Sequence, residues 1–214
     1  MLKNPKAQSW CVTLTVAVMN ALSTANCLET KSTESQGTQE DFKVWLWFDN
    51  CDLIVSGRSE YFNAALKGML PFNKLSKDGG VRAYFMNEYP WYEEYPTTPP
   101  SFVLNGFIYS LIGLLDVFSL TPPKLSAGNA KQLFDDGMRS LKKLLPLFDT
   151  GSGSVYDLRH LTLGGIPPNI ARWDYHSTHI NQLLLLATID SEPILGAVAQ
   201  RWIGYMQGKR AAHN

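Results

Sequence analysis

Three stretches of the chain gather side chains able to carry protons or grip an anion. The first is Glu93-Glu94-Tyr95, followed by a proline-rich run to Pro100. The second is Tyr156-Asp157-Leu158-Arg159-His160. The third is Arg172-Trp173-Asp174-Tyr175-His176, with His179 one helical turn later. Each sets titratable groups beside aromatics at the edge of an expected helix, where clefts form. A guanidinium such as that of Arg159 can hold a carboxylate through two parallel hydrogen bonds. No single cluster specifies a reaction.

Two other patterns point elsewhere and are weaker. Asp149-Thr150-Gly151-Ser152 matches the aspartic-protease signature, but that chemistry needs two such aspartates sharing a proton. Here the tetrapeptide occurs once, at the end of an amphipathic helix containing Pro146. A flexible turn over Gly151-Ser152-Gly153-Ser154 is the reading it supports, and the run also lacks the Gly-Lys-Ser/Thr end of a phosphate loop. His176 and His179 are spaced to share a metal, yet structural zinc takes four ligands and catalytic zinc three. Asp174 is close in sequence but precedes the helix, so no metal is expected. One imidazole is expected to hydrogen-bond a neighbour and the other to face a cleft or solvent.

The elements that must position these groups are mostly helical. The periodicity predicts a short helix over Tyr61–Leu70 ended by Pro71, and a strand over Val81–Met86. The prolines from Pro96 to Pro100 favour an extended, rigid mount. Phe102–Phe118 is apolar nearly all round, with Asn105, Tyr109 and Ser110 as exceptions, so it reads as a buried helix rather than a membrane span. Asn105 and Tyr109 share one of its faces. Gly128–Phe148 is amphipathic, with a stripe of Ala130, Leu133, Phe134, Met138, Leu141, Leu144 and Leu145. Two more helices are expected over Tyr175–Ile189 and Ile194–Gly208, the latter opened by Ser191-Glu192-Pro193. Alternating buried and amphipathic helices imply layered helical hairpins with a cleft at one end.

Composition bounds the rest. Hydrophobic residues make up 45% of the 214, enough for a real core. Nineteen basic and nineteen acidic residues cancel, so composition gives no support to a polyanion-binding surface, and no nucleic-acid partner is expected. Cys11, Cys27 and Cys51 all fall early and cannot pair fully. Lys3 and Lys6 precede an apolar run from Trp10 to Leu22, followed by small residues at 23–25, the order of a secretory signal. Thr13, Thr15 and Asn20 interrupt it, and it falls short of the roughly 20 residues of a span. A signal or anchor at 10–25, a partly buried helix and an unstructured leader all stay open. A polar linker follows, with a short apolar burst at Val44–Phe48. Residues 1–57 thus form one segment and 58–214 the ordered body.

Three runs resemble D-glucuronyl C5-epimerases over their C-terminal catalytic region. They are Trp91 to Pro99, Asp149 through His160, and Ala171 to His176. Phe102 to Phe107 and the ending Arg210 to Asn214 are similar to that family too. Several long motifs in order are far more specific than a lone signature. The resemblance implies a mainly α fold, part of an α/α-barrel (toroid) of helical hairpins with a few short strands. It implies that the family's β-rich region and its metal site have no counterpart here, and that this chain carries no cofactor. It also implies heparan sulfate or heparosan as the polysaccharide partner, a homodimer for the full-length protein, and a Golgi location with membrane anchoring open.

The implied reaction removes the proton at C5 of D-glucuronate and returns one to the opposite face, giving L-iduronate. The carboxylate must be neutralised so that the carbanion delocalises into it, and each ring face needs an acid–base group. The resemblance implies Glu94 and Tyr175 as the opposed proton carriers. Tyr95 and Tyr156 would add phenolic hydrogen bonds, and Arg159 would clamp the carboxylate. A neutral phenol is a poor base, so Tyr175 needs a cation such as Arg172 nearby or a favourable hydrogen bond. Asn105 and Tyr109 would orient the sugar, and Trp173 could stack on a ring. Asn169, Arg172, Asp174, His176 and Thr178 complete the expected substrate side. Two rivals stay open: a uronate lyase, which shares the first proton abstraction, and a truncated non-catalytic piece that only binds glycosaminoglycan.

Overall fold

The structure, a computed structural model, describes residues 65–121 and 126–212. The expected signal or anchor, the linker, the apolar burst at Val44–Phe48 and the first turn of the helix from Tyr61 lie outside the described residues. The described fold is mainly α. Residues 65–68 form a helical turn, and Pro71 falls inside a 3-10 turn, Leu70–Asn73, rather than after a helix. Strands β1 (Arg82–Phe85) and β2 (Tyr89–Tyr92) pair antiparallel, with Arg82 opposite Tyr92 and Phe85 opposite Tyr89. Between them, Glu88 N–H donates to Phe85 C=O at 3.1 Å, and Met86 and Asn87 both take positive φ. Those are the dihedrals of the mirror-image turns that suit the twist of a hairpin.

Five α-helices follow: α1 (Leu104–Leu120), α2 (Ala130–Leu144), α3 (Arg159–Thr162), α4 (Trp173–Leu186) and α5 (Pro193–Met206). The apolar run from Phe102 starts its helix two residues late, because Phe102 sits in the left-handed region at φ 58°. Helix α2 buries Leu133, Met138, Leu141 and Leu144 of the expected stripe. Pro146 then converts its end into a 3-10 turn, Leu145–Phe148. No described helix is long and apolar enough to cross a membrane.

Packing follows from these faces. Helix α1 pairs with α2 and α4 with α5, and α1 also packs on α4, so two helical hairpins lie side by side. The β-hairpin rests on α2 and α1. Strand β2 ends on Trp91 and Tyr92, which point to opposite faces and are both fully buried. Trp91 stacks on Phe107 with centroids 3.7 Å apart and lies near-parallel to Phe148 at 5.7 Å. Tyr92 is an amphipathic core residue whose hydroxyl donates to Leu133 C=O at 2.6 Å. Gly137 lets the hairpins close, since a Cβ there would stand 3.1 Å from Tyr92 Cε2 and closer still to Leu111.

Candidate active site

The proline-rich run after Glu93 is neither helix nor strand, and the buried Glu93 carboxylate ties its two ends together. Glu93 is fully buried and accepts from Ser101 N–H at 3.0 Å, Ser101 Oγ–H at 2.7 Å and Phe102 N–H at 3.0 Å. These bonds hold Phe102 in its left-handed conformation, a strain that persists only where surroundings over-determine it. Ser101 C=O in turn accepts from Leu158 N–H at 3.2 Å, and Leu104 N–H donates to Tyr156 C=O at 3.1 Å. The chain carrying Tyr156 to Leu158 is thereby fixed alongside the entry to α1.

Glu94 points the other way, onto Gly106 of α1. A Cβ at residue 106 would stand 2.6 Å from Glu94 Cβ and 2.7 Å from its Cδ, so glycine is required for the carboxylate to reach this place. Two phenols lie in its field. Burial raises the Tyr109 hydroxyl above its ordinary pKa, and the Glu94 charge adds to the rise. Burial likewise pushes Tyr156 far up, with further pushes from Glu94, Tyr95 and Tyr175. Tyr95 also reaches Tyr156 by a side-chain hydrogen bond. The Tyr156 and Tyr175 rings meet edge to face at 4.8 Å. Arg172 lies over the Tyr175 ring at 5.6 Å and also pairs with Asp174 at 3.0 Å. The structure thus brings Glu94, Tyr95, Tyr109, Tyr156, Tyr175 and Arg172 together.

Arg159 and Asn169 are organised by a residue between them. Asp157 accepts from Arg159 Nη2 and Asn169 Nδ2, each at 2.8 Å, and from Arg159 N–H at 3.0 Å. Burial pushes this carboxyl up, but those hydrogen bonds outweigh it and hold it below its ordinary range. The same pair raises the Arg159 guanidinium. Arg159 stays about half exposed, at 47%, which leaves N–H donors open to an anion.

The remaining candidates scatter. Asn105 is buried, and its side-chain oxygen has no hydrogen-bond partner among the described residues. Its backbone C=O accepts from Gln182 Nε2 at 3.0 Å, which ties α4 to α1. Trp173 is 62% exposed at the start of α4, Asp174 is exposed beside it, and Thr178 Oγ1 bonds back to Asp174 C=O. His176 is turned inward: Nδ1 meets Ser154 Oγ at 2.8 Å and Nε2 meets Trp202 C=O at 3.3 Å. His179 also places Nδ1 on Ser154 Oγ, at 2.9 Å. Both imidazoles therefore spend nitrogens on the protein, where the sequence reading had one facing outward.

Residues 54–204 match the family described as D-glucuronyl C5-epimerase C-terminus. The chain belongs to this family. It is 51% identical over 163 residues to a D-glucuronyl C5-epimerase of Caenorhabditis elegans, covering 72% of this chain and 26% of that protein. It is 31% identical over 135 residues to an uncharacterized protein of Methanocaldococcus jannaschii, covering 62% of this chain and 39% of that one. The chain therefore spans well under half the length of these relatives.

All the candidates from Glu94 to Thr178 fall inside the C5-epimerase family match. Sequence reasoning missed the residues that hold them. Glu93, neighbour to Glu94 in the first cluster, is spent on the frame through its bonds to Ser101 and Phe102. Asp149 is not a protease aspartate: it accepts from Trp202 Nε1 at 3.1 Å, Tyr205 OH at 2.9 Å and Gly151 N–H at 2.7 Å. Ser154, read as part of a flexible turn, is fully buried. Asp116, one acid in an apolar helix, lies two turns beyond Tyr109 on the same face of α1, and burial pushes its carboxyl up to about 7. Its charge in an apolar run was the signal available.

Proposed function

We propose that this chain forms part of a glucuronyl C5-epimerase, converting D-glucuronate to L-iduronate in the heparan sulfate and heparin precursor. The observation that carries the reading is a cluster in which Glu94 acts on Tyr109 and Tyr156, and Tyr156 in turn meets Tyr95 and Tyr175, on a frame fixed by Glu93. Glu94 and Tyr175 stand as the two proton carriers. One takes the C5 proton, the electron pair delocalises into the uronate carboxylate, and the other delivers a proton to the opposite face. Arg159 supplies the donors that Asp157 leaves open, and these stabilise charge as it develops on the carboxylate. Tyr156 fits the role of a donor that keeps its proton, because burial and the Glu94 charge both oppose its ionisation. Asn105 offers a buried acceptor to a sugar hydroxyl. Trp173 supplies an exposed ring face at the rim. The whole protein is read as a Golgi-lumen enzyme whose helical hairpins belong to an α/α toroid and whose full-length form is a homodimer.

The test is C5 label exchange on N-sulfated heparosan in deuterated water. Deuterium incorporation that disappears in Glu94→Gln and in Tyr175→Phe supports the reading. Ultraviolet absorbance from an unsaturated uronate would replace it with a lyase. That the chain spans well under half the length of these relatives favours a second reading, a piece that binds the polysaccharide and needs further chain for chemistry. A folded chain that binds N-sulfated heparosan and exchanges no label would select that reading.

A further inference from the structure

Ser154 is fully buried, and two imidazoles converge on its single hydroxyl. One hydroxyl has one proton, so it donates to one ring and accepts from the other. The neighbours decide which. A backbone carbonyl only accepts, so His176 must carry its proton on Nε2 to meet Trp202 C=O. Its Nδ1 is then a lone pair, and Ser154 O–H donates to it. Ser154 Oγ therefore accepts from His179, whose proton must sit on Nδ1. His179 Nε2 is left as a buried lone pair without a partner among the described residues. The chain of bonds runs one way, from His179 through Ser154 and His176 to Trp202 C=O, and bonds aligned in this manner polarise one another.

That relay closes a loop around the tyrosine pair. Residues 154–156 lie against 169–171: Ala171 N–H donates to Ser154 C=O at 2.8 Å and Tyr156 N–H to Asn169 C=O at 2.7 Å, with Val155 bridging Ile170. One strand of this patch carries Tyr156. The other leads through Arg172 into α4, which carries Tyr175, His176 and His179. The Ser154 hydroxyl joins α4 back to the Tyr156 strand, two residues from one phenol and, through His176, one residue from the other.

We propose that Ser154, locked between a His176 Nε2–H tautomer and a His179 Nδ1–H tautomer, is a positioning residue that sets the Tyr156–Tyr175 geometry for proton transfer. Its catalytic readout rests on the epimerase reading above. The Trp202 ring packs against both imidazoles, and among the described residues Ser154 is the side chain that hydrogen-bonds both.

The test is nitrogen-15 NMR of the imidazoles in the whole chain, paired with label-exchange kinetics. Wild type is expected to show His176 protonated on Nε2 and His179 on Nδ1 near neutral pH. Ser154→Ala is expected to lose about ten- to a hundredfold in kcat at unchanged KM, since small misplacements of reacting groups act on turnover. It should also shift the Tyr156 and Tyr175 ring resonances. His179→Leu should lose as much, while His179→Asn, which presents an amide N–H where Nδ1–H stands, should recover most of the loss. Those His179 variants keep the test alive if Ser154→Ala does not fold. The proposal is overturned if His179 is protonated on Nε2, or if removing the Ser154 hydroxyl moves neither the ring resonances nor kcat. Should wild type exchange no label, the epimerase reading fails on its own, and the tautomers and ring resonances alone decide this proposal.

Discussion

Neighbouring carboxylates with opposite duties give the clearest residue-scale test. Glu93 accepts three hydrogen bonds in a fully buried site, and Glu94 faces phenols beside a glycine. Glu93→Gln turns one acceptor toward N–H groups as a donor, so it should cost about 2 to 3 kcal/mol. In a chain of this size that lowers Tm by about 5 to 10 °C, readable by thermal melts. Glu94→Gln should leave Tm within about 2 °C and abolish label exchange. Equal melting shifts in the two variants would remove the distinction. A pH test belongs at this scale too. His179 is held down to about 3 from 6.5 by burial, so acidification below 6.5 protonates the unfolded chain first and stability falls as pH drops. His176, also lowered by burial, acts in the same direction. Asp116 is raised from 3.8 to about 7, so the folded chain keeps a proton the unfolded chain has lost, and stability falls as pH rises through that window. The slopes oppose one another, and urea midpoints should vary little from about pH 4.5 to 6.5. In Asp116→Asn the histidine slope remains and midpoints rise with pH; in His179→Leu the Asp116 slope is left in excess and midpoints fall as pH rises.

Elements meet where glycine lets them, and Gly106 is the case with a chemical consequence. Gly106→Ala drives a methyl into the Glu94 side chain, including its Cβ, which cannot swing away as a carboxylate tip could. The expected cost is about 1 to 3 kcal/mol, with exchange lost because Glu94 is displaced from Tyr156. Circular dichroism should show the helices retained. How far the elements were legible follows from what shaped them. The four long helices were readable because their stripes are internal to each segment: Leu133, Met138, Leu141 and Leu144 declare the α2 face without reference to anything else. Strand β2 was not, because Pro90 argues against a strand and is tolerated here only in a two-stranded sheet made wholly of edges. Its turn at Met86-Asn87 lacks the usual glycine signal. At the site, Glu94, Tyr156 and Tyr175 sit on separate segments, and their side-chain types alone did not say that they meet; the ordered motifs did. The inward turn of His176 was illegible for the same reason, since Ser154 and Trp202, which turn it, lie 22 and 26 residues away.

At the scale of the whole molecule, the two helical hairpins bury a continuous core, yet one stretch is left apolar and open. Leu161, Ile166, Ile170 and Trp173 are 49%, 44%, 57% and 62% exposed, all from α3 to the first turn of α4. Large apolar side chains exposed this close together in the chain point to a partner, a ligand or an association hazard. The stretch adjoins the candidate site, because Asn169 and Arg172 belong to it and Tyr175 follows. Two coverings compete: another protein surface, or the sugar rings of a bound polysaccharide. The chain by itself should self-associate as its concentration rises, visible by sedimentation velocity as a growing fast-moving fraction. Ile166→Ser with Ile170→Ser should restore the monomer and keep the helical signal, since neither side chain belongs to the core. Adding N-sulfated heparosan to the unmodified chain then separates the coverings. A polysaccharide that lies across Trp173 will disperse the associated fraction, whereas a face built for protein will go on associating in its presence. A monomer at every concentration, with or without sugar, would mean that these four side chains are tolerated singly and that the open stretch has no partner to find.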